Sequence, residues 1–381
     1  MDNSSPKGLH TARRIVVKLG TSIVTNETGE LNKELVKSIV RDMATLRKEG
    51  RQLVLVSSGA VGLGAGQLSL NDELRNDVVM KQACAAVGQS LLMSAYERFF
   101  RAHKIKVAQV LLTEDDFVNW HRYQNLRRTM ERLLKLGVLP IVNENDTVSI
   151  AELKSVAKDG QRVFSDNDRL AALVMSKIGA DVLVLLTDVD GLMSRVPGEG
   201  SAAALIPLVK EITPHLRELA AGPTKKGRGG MVTKLEAAQI AMHVGIAVIA
   251  NGRKPKALSC IFRGEPCGTV FDSSRRLRGK KRWIAFATNV RGELVVNEGA
   301  CEALLRGKAS LLASGVVRVV NEFAALDVVK VVDEQGNEFA RGIANFESRE
   351  CLRLIASVDK KRQRAKEWVL ITRDNLVLKE G

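Results

Sequence analysis

The run Val182-Leu183-Val184-Leu185-Leu186 is an unbroken apolar stretch that polar residues bound on both sides. A strand with one face in water alternates apolar and polar residues, whereas an uninterrupted run predicts a strand that is buried on both faces. Such strands belong to parallel sheets covered by helices on each side. This stretch therefore favours a layered α/β domain.

Further apolar runs alternate with helix-type patterns as far as about residue 272. Regular alternation of strands and helices is typical of a parallel sheet built from βα units. It predicts an α/β fold, a three-layer αβα domain with a largely parallel sheet. The other strands of this domain are expected at residues 14–19, 52–56, 107–112, 139–142 and 246–250, and helices at residues 32–49, 77–100, 121–136 and 168–178, with another ending at about residue 243.

The pattern changes after residue 275. Short strand patterns follow at residues 293–296, 316–320, 328–332 and 339–343, with a turn sequence at residues 333–337. Closely spaced strands without intervening helices predict a small, mostly β domain. The chain is thus predicted to contain one domain at residues 1–275 and a second at residues 276–381, which includes a basic linker and a C-terminal tail.

The net charge of +15 raises the possibility of nucleic-acid binding. Nine basic and only two acidic side chains lie within residues 251–281, however, so nearly half of the excess belongs to one short segment. Aromatic residues make up only 4% of the chain and offer few platforms for stacked bases. Charge and composition therefore argue against RNA as a partner.

Cysteines and apolar segments indicate the cellular compartment. The five cysteines include no C-x-x-C pair, and the five histidines show no metal-ligand spacing. No apolar run is long enough for a membrane span, and residues 1–14 lack the apolar core of a signal peptide. We therefore expect a cytoplasmic protein without disulfides, a zinc site or a membrane segment.

Four predicted strands end in polar or glycine-rich turns, at residues 18–22, 57–59, 143–146 and 187–191. Ligands of open α/β sheets bind where the carboxyl ends of the strands meet, so these turns are expected to form one site. Further glycines follow the second turn at positions 62, 64 and 66. Their spacing does not match the G-x-G-x-x-G fingerprint of dinucleotide-binding domains.

These motifs together resemble the glutamate 5-kinases of the amino acid kinase family. The resemblance rests on segments that occur in the family's order, and it covers almost the whole chain. The C-terminal domain is similar to the PUA domain, although Asn321 and Leu326 stand where that pattern usually has glycines. The kinase motifs are V-V-K-L-G-T-S at residues 16–22, V-S-S-G-A at 56–60, N-E-N-D at 143–146, D-N-D at 166–168, L-T-D at 186–188 and G-G-M-V-T-K at 229–234.

The resemblance implies that the γ-phosphoryl group of ATP is transferred to the side-chain carboxylate of L-glutamate, the first step of proline synthesis. It assigns Lys18 and Lys234 to the transferring group and Asp168 to holding those lysines. It implies backbone anion contacts at Gly20 and Gly59, with glutamate bound by Ser58, Asp146 and Asn167.

The resemblance also implies a nucleotide site. Mg²⁺ would arrive with ATP through phosphate oxygens and water, without protein ligands. Arg228 departs from the family, which commonly has a small residue there. The implied ATP-binding residues are Lys18, Thr187, Asp188, Arg228, Gly229, Gly230, Met231, Val232, Thr233 and Lys234.

Further partners follow from the same resemblance. They are proline as a feedback inhibitor, a second copy of the chain in a homo-oligomer, and glutamate-5-semialdehyde dehydrogenase. Two alternatives stay open. One is a sister kinase that acts on aspartate, N-acetylglutamate or a nucleotide, and the other is an RNA-binding protein that uses the PUA-like domain.

Overall fold

The computed structural model divides the chain into two compact units. The first contains residues 1–113 and 127–276, and the second contains residues 114–126 and 277–381. The second unit thus includes a short segment that lies far earlier in the sequence. The structure describes residues 8–26, 28–69, 77–113, 115–118, 120–148, 167–194, 204–221, 230–273, 280–285, 290, 292–307, 309–358 and 368–379.

The first unit contains an eight-stranded sheet in the order β3-β4-β2-β1-β5-β7-β8-β6. All neighbouring strands are parallel except β7 and β8. The predicted largely parallel sheet is therefore confirmed. The strands are β1 (Arg14–Leu19), β2 (Gln52–Ser57), β3 (Val107–Leu112), β4 (Leu139–Glu144), β5 (Val182–Thr187), β6 (Leu208–Val209), β7 (Ile246–Asn251) and β8 (Thr269–Asp272).

Helices lie on both sides of this sheet. On one side, α3, α5 and α11 supply the apolar residues that pack on alternate strand positions such as Ile15, Val17 and Leu19. The helices up to residue 262 are α1 (Gly8–Thr11), α2 (Thr21–Val24), α3 (Lys33–Lys48), α4 (Ala60–Gln67), α5 (Val78–Arg101), α6 (Asp115–Val118), α7 (Trp120–Lys135), α8 (Asn167–Ile178), α9 (Pro214–Ala221), α10 (Met231–Met242) and α11 (Ala257–Phe262).

The glycine run after β2 forms helix α4, which the sequence pattern did not predict. Gly64 packs so closely on α5 that an added Cβ would collide with the backbone of Cys84. Gly88 of α5 packs equally closely on α4, because an added Cβ would collide with the carbonyl oxygen of Ala60. Close packing of the two helices compensates for the low helix propensity of glycine.

The second unit contains a five-stranded sheet in the order β11-β9-β12-β13-β15, and a separate pair of β10 with β14. Tyr123 packs against the small apolar cluster of Ile284, Val328 and Ile343. The strands are β9 (Gly292–Val296), β10 (Leu311–Leu312), β11 (Val316–Val320), β12 (Val328–Val332), β13 (Glu338–Ile343), β14 (Val369–Ile371) and β15 (Leu376–Leu378), and the helices are α12 (Lys280–Ala285), α13 (Glu298–Leu305) and α14 (Ser348–Val358).

The two positions that depart from the PUA pattern adopt the backbone conformation that glycine favours. Asn321 has φ of 64° and Leu326 has φ of 72°. Asparagine tolerates this left-handed region, whereas a leucine there is a genuine outlier. The glycine of the usual pattern therefore has a local conformational reason.

Candidate active site

The four polar turns lie where parallel strands of the first sheet end. β4, β2, β1 and β5 are neighbours and run parallel, so their carboxyl ends point the same way. Successive residues of a strand face opposite sides. Because Val17 and Leu19 pack against the layer of α3 and α5, Lys18 faces the other side of the sheet.

Near these strand ends, three charged side chains meet in the protein interior. The Nζ atom of Lys18 lies 2.6 Å from Oδ1 of Asp168, and Nζ of Lys234 lies 3.1 Å from Oδ2. Asp168 is fully buried, and the two lysines are 4% and 6% exposed. The sequence-predicted catalytic residues Lys18, Lys234 and Asp168 are therefore brought together.

Two helix starts position this cluster. Asp168 is the second residue of α8, and Lys234 lies in the first turn of α10, which follows Gly230. The hydroxyl of Thr233 lies 3.2 Å from Oδ2 of Asp168 and 2.9 Å from the carbonyl oxygen of Gly230. Helix N-termini favour negative charge, so this arrangement suits a phosphate as well as the carboxylate.

The charge state of Asp168 follows from its neighbours. Burial by itself would raise the pKa of this carboxyl, but the ammonium groups of Lys18 and Lys234 outweigh burial and hold the pKa below its usual value. Asp168 is therefore ionised at neutral pH. The cluster of one carboxylate and two ammonium groups carries a net positive charge that can attract an anion.

A chain of amide side chains lies beside the ionic cluster. The Nδ2 atom of Asn167 lies 2.9 Å from Ser58 Oγ and 3.0 Å from Asn143 Oδ1. Asn143, which is buried, donates in turn to Gln89 Oε1 over 2.8 Å. The Oδ1 atom of Asn167 is buried and has no hydrogen-bond partner among the described residues. A buried acceptor of this kind is suited to a donor that a ligand brings.

Of the predicted glutamate-binding residues, Ser58 and Asn167 thus meet directly. Asp146 lies half-buried in the turn after β4, where the hydroxyl of Thr147 lies 2.6 Å from Asn145 Oδ1. The role of Asp146 in the site stays a prediction.

The two predicted backbone contacts differ. The Gly20 N–H donates to the carbonyl of Leu186 over 3.2 Å, so an anion would have to replace that bond. Gly59 precedes α4 with φ of 102°, and a Cβ there would approach Val24 closely. A glycine is therefore needed at this strand end.

The predicted nucleotide residues are only partly described. Thr187 is buried at the end of β5, and its hydroxyl lies 3.1 Å from Oδ1 of the exposed Asp188. Gly230, Met231, Val232 and Thr233 form the start of α10. Arg228 and Gly229 lie outside the described residues.

Sequence reasoning missed two members of this arrangement, Gln89 and Asn143. Asn143 lies in β4, where the polar cluster of residues 143–146 begins, and its position within a buried strand end was a usable signal. Gln89 lies within α5 and no motif marks it. Only the packing of α5 beside β4 reveals the bond between the two amides.

The comparisons define the class of protein to which this fold and site belong. Residues 13–250 match the sequence model of the amino acid kinase family, and residues 292–363 match that of the PUA domain. The chain belongs to the amino acid kinase family. The predicted family, fold class, kinase activity class and PUA domain are confirmed.

More specific similarity comes from individual relatives. The glutamate 5-kinase of Caldanaerobacter subterraneus subsp. tengcongensis is 45% identical and aligns over 88% of this chain and 89% of its own length. The glutamate 5-kinase of Myxococcus xanthus is 45% identical, over 91% of this chain and 90% of its own. Among solved structures, UMP kinase from Bacillus anthracis is similar at 16% identity with a TM-score of 0.48, over 70% of this chain and 98% of that one.

Proposed function

We propose that this protein transfers the γ-phosphoryl group of ATP to the side-chain carboxylate of L-glutamate. The observation that carries the proposal is the buried cluster of Lys18, Asp168 and Lys234. Its support in sequence is the similarity to glutamate 5-kinases over most of the chain. These relatives do not favour a sister kinase or an RNA-binding protein.

The chemistry requires charge neutralisation more than proton transfer. A carboxylate is already ionised at neutral pH, so it can attack phosphorus without a general base. The obstacle is repulsion between this carboxylate and the phosphates of ATP. Two ammonium groups aimed at the transferring oxygens reduce that repulsion and stabilise the charge of the transition state.

Asp168 acts as a positioning residue in this scheme. One carboxylate oxygen contacts each lysine, so both ammonium groups are held in place before substrates bind. Charged groups that are oriented in advance need little rearrangement during the reaction. The lysines then act on the phosphoryl group while Asp168 fixes their separation.

Glutamate is proposed to bind beside the amide chain. The Oδ1 atom of Asn167 can accept a hydrogen bond from the substrate ammonium, and Ser58 lies within reach of the same amide. Asp146 supplies a negative charge that suits an ammonium group. Gly20 and Gly59 are proposed to line the path of the transferring phosphoryl group.

ATP is proposed to bind between the end of β5 and the start of α10, through Thr187, Asp188 and residues 228–234. Both oxygens of Asp168 face ammonium groups, so this carboxylate does not fit direct binding of Mg²⁺. Mg²⁺ bound to ATP would instead keep phosphate and water ligands and neutralise phosphate charge.

The remaining proposals concern localisation, inhibition, assembly, a partner enzyme and the catalytic domain. They are a cytoplasmic enzyme, competitive inhibition by proline at the glutamate site, a homo-oligomer, the dehydrogenase partner, and catalysis by a domain at residues 1–275. Among the described residues, no helix is long and apolar enough to cross a membrane.

A substrate panel tests the proposed reaction. ADP release is measured with ATP and each of L-glutamate, L-aspartate, N-acetyl-L-glutamate and UMP as acceptor. We expect turnover with glutamate to exceed the others, and γ-glutamyl phosphate to be trapped by hydroxylamine as a hydroxamate. Preference for another acceptor would refute the proposed substrate.

Kinetics of Lys234 variants test the site. Lys234→Ala is expected to lower kcat by roughly 10²–10³, the scale of losing one electrostatic stabiliser, with a smaller change in KM for ATP. Lys234→Arg should rescue poorly, since a planar guanidinium does not replace a compact ammonium. The control is Lys37→Ala, which removes an exposed lysine paired with Glu34. A kcat for Lys234→Ala within a few-fold of wild type would exclude Lys234 from catalysis.

A further inference from the structure

Three side chains with metal-binding atoms meet at the loop between α11 and β8, and phosphoryl transfer uses none of them. The Sγ atoms of Cys260 and Cys267 and a carboxylate oxygen of Glu265 all lie within 4.8 Å of one another. Both cysteines are half-buried free thiols, whereas Glu265 is exposed. The sequence predicted no zinc site because six residues separate these cysteines, outside the usual short spacing.

The backbone holds the three donors together. The N–H of Glu265 donates to the carbonyl of Cys260 over 3.0 Å, and the N–H of Cys267 donates to the carbonyl of Glu265 over 2.7 Å. Gly268 follows with φ of 103°, and a Cβ there would collide with the carbonyl oxygen of Ile249. The loop is therefore tight, and the donors approach one another without a long flexible connection.

The spacing fits a tetrahedral metal centre. With metal–sulfur bonds of about 2.3 Å and metal–oxygen bonds of about 2.0–2.2 Å, ligand atoms lie roughly 3.6–3.8 Å apart. That separation is within the observed limit of 4.8 Å. Two thiolates favour a borderline-soft cation such as Zn²⁺ over Mg²⁺ or Ca²⁺, which prefer oxygen ligands.

Charge around the cluster is also compatible with a divalent cation. The Nε atom of Arg263 lies 2.7 Å from Glu265 Oε1, and its guanidinium donates to Cys260 Sγ over 3.7 Å. Two thiolates and one carboxylate balance the charges of a divalent cation and this guanidinium. Arg263 would then orient ligands from the second coordination shell.

The Cys260 thiol keeps its proton when no metal is present. A hydrogen bond to Glu265, followed by burial and the neighbouring Cys267, raises the pKa of the Cys260 thiol to about 11. A metal must therefore displace thiol protons. Proton release on binding gives a readout that is independent of kinase activity.

We propose that Cys260, Glu265 and Cys267 form a binding site for one Zn²⁺-class cation, with water as the fourth ligand. The ion would link the C-terminal end of α11 to the beginning of β8. This site goes beyond the proposed phosphoryl transfer and does not depend on the identity of its substrate.

Cobalt binding to the full-length chain tests the proposal. The protein is stripped of metal, kept reduced with a phosphine and titrated with Co²⁺. We expect one Co²⁺ per chain, with a thiolate-to-cobalt charge-transfer band and the strong visible bands of tetrahedral cobalt. One equivalent of Zn²⁺ added to the cobalt form should abolish these bands, and Zn²⁺ added to the metal-free protein should release protons in weakly buffered solution at pH 7.

Matched cysteine variants assign the ligands. Cys260→Ser and Cys267→Ser should each lose the charge-transfer band, whereas Cys301→Ser, at a half-buried cysteine of the second unit, should keep it. Circular dichroism checks that each variant folds. Wild-type protein without the band, or an unchanged band in both Cys260→Ser and Cys267→Ser, would overturn the site. Reduced protein that binds no Co²⁺ but loses both thiols on air oxidation would identify a redox pair instead.

Discussion

The first unit buries five charged side chains among its described residues, namely Lys18, Asp42, Asp168, Lys177 and Lys234. In the described part of the second unit, Ser348 is the one buried polar residue, and none of the ion pairs there includes a buried side chain. Among the described residues, the first unit therefore buries charged side chains and the second unit does not.

The free-energy cost of burying a charge gives this difference between the units its meaning. Taking a charge out of water is costly, and an apolar replacement of a buried ion pair is often at least as stable. A unit that keeps such charges therefore has a use for them beyond folding. In the first unit three of the five buried charges, Lys18, Asp168 and Lys234, form the ionic cluster near the carboxyl end of β1. The described core of the second unit is built from apolar residues.

Removing the central carboxylate should have the largest effect. Asp168→Asn leaves Lys18 and Lys234 buried without their counter-charge, and loss of one partner in a buried pair costs about 3–5 kcal/mol. We expect that loss in the free energy of unfolding, measured by denaturant titration, together with a large fall in kcat.

The control for this change lies in the second unit. Glu322→Gln removes an equivalent carboxylate from the exposed pair with Arg349 and should cost about 0–1 kcal/mol. Equal losses in the two variants would show that the buried and exposed pairs are energetically alike, against the comparison drawn above.

A smaller effect is expected where α4 and α5 meet. Gly88→Ala would force its Cβ into the carbonyl oxygen of Ala60, and overpacking costs typically about 1–3 kcal/mol. Gly299→Ala in α13 is the matched control, because its Cβ would contact only Asn297 Oδ1 at 3.8 Å. Thermal unfolding should show loss of stability for Gly88→Ala alone. A stable Gly88→Ala variant would mean that the helices can separate easily.

The buried Lys177 gives a pH-dependent contrast. Burial, with a smaller contribution from Arg127, lowers the pKa of Lys177 to about 6 in the folded protein. The unfolded chain binds this proton up to the ordinary lysine pKa, so the stability of the wild type should rise as pH increases from about 6 toward 10. Lys177→Met should remove that part of the rise. Unfolding free energies from pH 6 to 9 check it, and parallel curves for both proteins would contradict it.

The smallest change is expected at Leu326 in the second unit. Its left-handed backbone costs a leucine roughly 1–2 kcal/mol, and glycine recovers part of this despite its greater entropy in the unfolded chain. Because the side chain is exposed, Leu326→Gly loses little burial. We expect a gain below about 1 kcal/mol in the free energy of unfolding. Destabilisation would mean that the leucine side chain makes contacts that matter.

The sequence predicted the bounds of four strands closely. β1, β3, β11 and β12 begin and end at the predicted residues, because apolar runs bounded by glycine or charge fix a strand locally. Helix α4 escaped prediction since Gly62, Gly64 and Gly66 have poor helix propensity, and only the contact with α5 stabilises it.

The site was predictable where a motif marks a strand end or a helix start. Lys18, Asp168 and Lys234 come from three motifs, and the structure brings them together. The Gln89–Asn143 bond and the cluster around Cys260 and Cys267 depend on which elements pack together. No local pattern encodes such contacts, so they could not be derived from the sequence.

The segment at residues 114–126 has a consequence for synthesis on the ribosome. Tyr123 leaves the ribosome long before Ile284, which follows it by 161 residues. At roughly 5–20 residues per second, the delay is about 10–30 s. During that interval the first unit can gather most of its strands, while Ile284, Val328 and Ile343, against which Tyr123 packs, have not yet been synthesised. A nascent chain stalled near residue 276 should therefore be a better substrate for chaperones than the finished protein.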